Sequence, residues 1–129
     1  MAFDRAIANF ARGSDLTMTL TEIEVDAGDS IASATFMIKR DARRDTDAEA
    51  LITKGPVTGT NQPGIGQVID TGATDQEGAV RIDLVGATDT VLLVAGVAYD
   101  FGLKVTTALG KKIECCTGTI MTRQRVVRA

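Results

Sequence analysis

YDFGLKVTTALGK, residues 99–111, alternates Tyr99, Phe101, Leu103 and Val105 with Asp100, Gly102, Lys104 and Thr106. Period two sustained over this length means a strand with one face in a core and the other in water. TALGK follows, with Gly110 where a hairpin needs positive φ. A return strand is therefore expected over residues 113–122, with Gly118 as a bulge.

The same signature recurs upstream. Leu16, Met18 and Leu20 alternate with Thr17, Thr19 and Thr21, and then Ile23 and Val25 fall on the opposite phase. That slip places a bulge or the strand's end near Thr21 or Glu22. AGDS, residues 27–30, reads as a turn, and residues 31–40 as a central strand with Ala34, Phe36 and Ile38 on one face and Thr35, Met37 and Lys39 on the other. Residues 67–70 and 79–85 read as a strand pair joined by TGATDQEG, with Val80, Ile82 and Leu84 inward and Arg81 and Asp83 outward. In GATDTVLLVAG, residues 86–96, Thr88 and Asp89 are placed to cap a short turn.

Only DARRDTDAEALITK, residues 41–54, has helical character: Thr46 and Glu49 stand at capping-box spacing, predicting one or two helical turns. GPVTGTNQPGIG, residues 55–66, holds four glycines and both prolines and predicts an irregular exposed loop. Thr, Val and Ile supply 38 of the 129 residues, a β-branched excess suited to pleated surface. The expectation is a single all-β domain over residues 1–129, a two-sheet sandwich of seven to eight strands with one or two short helical turns. A barrel is the alternative. An N-terminal arm (residues 1–12) and a basic tail (residues 123–129) flank it.

Charge and composition exclude several functions. A net charge of −3 lacks the basic excess that neutralises nucleic-acid phosphates or adheres to anionic membranes. The longest apolar run, residues 91–99, is less than half the length of a membrane-crossing helix. Asp4, Arg5 and Asn9 interrupt any secretory signal, so synthesis in a cytoplasm is expected. There is no histidine, hence neither the commonest general base nor the commonest zinc ligand. Cys115 and Cys116 are adjacent on a strand, which should point them to opposite faces as reduced thiols with no base to activate them.

The remaining motifs fall short of sites. Asp45, Asp47 and Glu49 alternate like calcium ligands, but an EF-hand wants Gly and Glu where Ala50 and Pro56 stand. GTNQPGIG lacks the lysine of a phosphate loop, and GIGQVI lacks the third glycine of a dinucleotide fingerprint. Asp75 and Glu77 are turn residues. Catalytic residues, metals and cofactors are accordingly expected to be absent. The candidate site is an interface instead: Phe3, Ile7 and Phe10 at helical spacing ahead of the first clear strand, and Arg123, Arg125, Val126, Val127 and Arg128 in the tail. Basic clusters at residues 39–44 and 122–129, against an acidic stretch at 70–89, allow charge complementarity between copies.

The order of pieces also carries a resemblance: FARGSDLTMTLT (10–21), GDSIASATFMIKRDARRDTDAEALITK (28–54), GIGQVIDTGATDQEGAVRIDLVGATDTVLL (64–93) and VAYDFGLKVTTALGKKIECCTGTIM (97–121). With the Arg12-Gly13-x-Asp15 opening, the aromatic strand ending at Lys39, and Tyr99-Asp100 leading to Gly110, the chain resembles the small Ig-like domain at the N-terminus of the baseplate upper protein family of tailed bacteriophages. The resemblance implies an Ig-like antiparallel sandwich, a structural role in the virion without catalytic residues, and other virion proteins and its own copies as partners. Tail or baseplate adaptor and capsid cement or decoration protein are the roles implied. The downstream coiled and receptor-binding region of longer members is missing from this sequence, so no receptor role is implied. A soluble carbohydrate- or ligand-binding sandwich is the alternative, disfavoured because only five aromatics are present and Phe36, Tyr99 and Phe101 read as buried.

Overall fold

The computed structural model describes residues 3–124. Eight strands run in chain order: β1 (Phe3–Ala11), β2 (Leu16–Glu24), β3 (Ile31–Lys39), β4 (Ile52–Val57), β5 (Gly66–Asp70), β6 (Glu77–Leu84), β7 (Tyr99–Thr107) and β8 (Lys112–Arg123). They form a five-stranded sheet, β1-β8-β7-β3-β4, and a three-stranded sheet, β2-β6-β5. Two separate sheets rule out the barrel. Leaving β1 aside, the order is that of an Ig sandwich, with B, E and D in one sheet and G, F, C and an added C′ in the other.

Alternation decides what goes inside. Phe36, Ile38, Phe101, Leu103 and Val105 from one sheet, and Leu20, Val80, Ile82 and Leu84 from the other, are at most 3 % exposed and form one core cluster. Phe36 and Phe101 stack with ring centroids 5.5 Å apart, on the two neighbouring strands β3 and β7. In antibody domains a tryptophan and a disulfide fill the middle of such a core. Here an aromatic pair does. Tyr99 opens β7, and its hydroxyl oxygen accepts the Val94 N–H at 2.9 Å, five residues upstream. This is the tyrosine corner of Ig-like sandwiches, made at the turn into strand F.

The slip between Leu20 and Ile23 is a bulge, with Glu22 at φ +58°, so Ile23 and Val25 return to the core. Thr46 and Glu49 do open a helical turn, but it is one 3-10 turn at Asp47–Glu49, and β4 begins at Ile52. The irregular loop expected from residue 55 is correspondingly shorter, because β4 runs through Gly55 and Pro56. Proline, lacking an N–H, is tolerated there because β4 is an edge strand.

Other expectations are corrected. Phe3, Ile7 and Phe10 are not on a helix, and residues 3–11 are not outside the fold. They form β1, paired parallel to β8, so the sheet is not wholly antiparallel. The bulge in β8 lies at Cys115 rather than at Gly118: Leu103 faces Cys116 and Lys104 faces Glu114, leaving Cys115 as the extra residue. For that reason both thiols turn inward, 2 % and 0 % exposed, instead of to opposite faces. They are unbonded to each other, as expected of reduced thiols.

Candidate functional site

The segment between β6 and β7 is tied down from every side. Gly86 N–H donates to Asp15 Oδ1 at 2.7 Å, Val85 N–H to Asp89 Oδ2 at 2.7 Å, and the buried Thr90 hydroxyl to the Ser14 carbonyl at 2.7 Å. Asp89 also meets Lys54 Nζ of β4 at 2.5 Å, a pair whose side chains are 12 % and 11 % exposed. Any side chain on Gly86 would collide with the Gly13 carbonyl, so glycine sets how closely the two loops approach. A 3-10 turn at Thr90–Leu92 sends Leu93 fully into the core. Its carbonyl accepts the Thr122 hydroxyl at 3.1 Å, and Gly96 N–H donates to the Thr122 carbonyl at 2.9 Å.

With Leu93 anchored, this segment leaves Val91, Leu92, Val94 and Val97 facing water. Four aliphatic side chains exposed within seven residues, on a loop that cannot fold over them, form a ledge. Neighbouring apolar side chains left in water in this way are a candidate interaction surface. Arg12 borders it, donating from Nε to the Val91 carbonyl at 2.9 Å, and its own N–H bonds to the Arg123 carbonyl at 3.0 Å.

Of the candidate interface residues, Phe10 and Arg123 converge beside this ledge, where β1 and β8 end together. Phe3 and Ile7 lie further back along β1. Arg125, Val126, Val127 and Arg128 lie outside the described residues. Val91, Leu92, Val94 and Val97 were missed as site residues, because VLLVAGVA shows no alternation and an unbroken apolar run reads as buried.

A second feature is a groove of about 590 Å³ on the solvent face of the five-stranded sheet, lined by Met37, Lys39, Asp47, Asp100, Lys104 and Glu114 among others. The β3–β4 connection arches beside it. Asp47 bridges Lys39 at 2.8 Å and Lys104 at 2.5 Å, and Asp100 accepts the Ala42 N–H at 2.8 Å. Hydrogen bonds from Lys104 first and Lys39 second hold the Asp47 carboxyl down at about 2, and Asp47 in turn raises Lys104. Asp45 is lowered chiefly by the Asp41 N–H, and Glu49 by the N–H and hydroxyl of Thr46. The three alternating carboxylates thus diverge onto separate sets of partners rather than onto one centre. No group of three or more metal-ligating side chains occurs among the described residues. The groove's charges neutralise one another, and Phe101 beneath it is only 3 % exposed, so no ring is offered for stacking.

No protein-family model matches the chain, and a search of curated proteins finds no relative.

Proposed function

We propose that this chain is a non-catalytic structural module of a bacteriophage virion, working by protein-protein assembly in the tail, baseplate or capsid shell. One observation carries the assembly reading: the ledge of Val91, Leu92, Val94 and Val97, held rigid and exposed on an Ig-type sandwich. Burying such side chains against a partner releases roughly 25 cal/mol for each Å² of apolar surface removed from water, without ordering a loop first. The virion assignment rests on the sequence resemblance given above, which the Ig strand order supports. The groove favours a ligand-binding reading less, since Asp47 already holds both of its lysines, Lys39 and Lys104, and no aromatic ring is exposed in it.

Mass spectrometry of particles purified from a lysate, after a density gradient that removes free protein, tests the assignment. The chain should co-sediment at a fixed ratio to the major virion proteins. Recovery wholly in the soluble fraction would overturn it.

A further inference from the structure

The two ends of the sandwich differ, and each offers what the other lacks. At the end where β2 turns into β3, β5 into β6 and β7 into β8, residues 22–30, 70–77 and 107–112 hold seven carboxylates against two lysines. The buried Asp29 accepts the N–H groups of Ser30 at 2.8 Å and Leu109 at 3.2 Å, fixing the β7–β8 hairpin against the β2–β3 loop. At the hairpin's tip Leu109 is 77 % exposed, the most exposed large apolar side chain among the described residues.

The ledge lies at the opposite end. Its border charges are Arg12 and Arg123, which make no ion pair among the described residues; nearby Asp89 is neutralised by Lys54, and Asp15, held by the Gly86 N–H, offsets one of the two arginines, so the border keeps a net positive charge. β8 spans from one end to the other, Lys112 to Arg123, a separation of roughly 36 Å at the usual rise per strand residue. That is several screening lengths at physiological salt, so the two ends cannot neutralise each other within one molecule. Two copies in line can.

We propose that copies of this chain associate head to tail, the acidic end led by Leu109 on one copy seating on the ledge and the Arg12–Arg123 border of the next. This rests on the assembly reading above and names the partner: a second copy. Acidic end against acidic end is repelled, so charge sets the orientation while the aliphatic groups supply the adhesion. A head-to-tail contact uses two different surfaces, and it closes into a ring or runs on as a fibre according to the rotation per copy.

Two variants of the full chain test it in sedimentation velocity, after circular dichroism shows each is folded. Leu109→Lys with Asp75→Lys disables the acidic end, and Leu92→Asn with Arg123→Gln disables the ledge end without offering new carboxylates to those lysines. Wild type should gain mass with concentration and lose it with added salt. Each variant alone should stay monomeric, and an equimolar mixture should give a dimer and nothing larger, because one live surface of each kind remains. A variant that still self-associates alone would mean a symmetric contact, and a mixture that stays monomeric while wild type associates would put the contact elsewhere. Wild type monomeric at every concentration would likewise overturn the proposal. Each of these results leaves the assembly reading open to its own test, co-sedimentation with particles.

Discussion

Tyr99 binds the turn before β7 to the strand's own start, because its ring is buried while its hydroxyl satisfies the Val94 N–H. Tyr99→Phe keeps the ring and leaves that N–H without its partner, so it should cost about 1 kcal/mol in urea denaturation. An unchanged midpoint would show that the corner contributes nothing. Lys54 and Asp89 act differently. Their pair joins β4 to the β6–β7 connection, and Lys54 Nζ also donates to the Gly64 carbonyl at 2.8 Å. Lys54→Ala strands a largely buried carboxylate, for which a loss of roughly 3 kcal/mol or more is expected. Equal stability of the variant and wild type would mean that water replaces the ammonium. In the core, Phe101→Ala should cost roughly 3–5 kcal/mol, because the ring is buried against Phe36.

At the scale of elements, the β3–β4 connection is fastened over the groove by Asp47. Its carboxyl titrates lower in the folded chain, about 2, than the ordinary 3.8, so its stabilising contribution is complete above 3.8 and lost as pH falls through about 2. Asp47→Asn should therefore be less stable than wild type at neutral pH, the two curves converging across that window; curves that stay parallel would show the bridge to be idle. A residual acid slope should remain in the variant, since Asp29, Asp45 and Glu49 are also lowered. Which elements were legible in the sequence follows from the same local physics. β7 and β6 alternate strictly, β3 does so from Ala34 onward, and even the Glu22 bulge announced itself as a change of phase between Leu20 and Ile23. β1 did not, because its partner β8 lies more than a hundred residues away and a parallel edge pairing leaves no local period. The Cys115 bulge was hidden because no glycine or turn residue marks it. The ledge was hidden because hydropathy cannot separate an aliphatic run that is buried from one that a tied-down loop holds in water.

For the whole molecule, the sandwich is a rigid mount: one aromatic-centred core holds two sheets, and the connection between β6 and β7 presents aliphatic side chains that the fold itself does not use. Removing them should not harm the mount. Val94→Asp, at a position 52 % exposed, is expected to stay within about 0.5 kcal/mol of wild type in stability. The most direct test of the account is the incorporation of that variant, measured as its copy number in purified particles by quantitative mass spectrometry after complementation of a deletion. A folded Val94→Asp chain should be left in the soluble fraction, with wild type recovered in the particles. Incorporation of the variant at the wild-type ratio would contradict it.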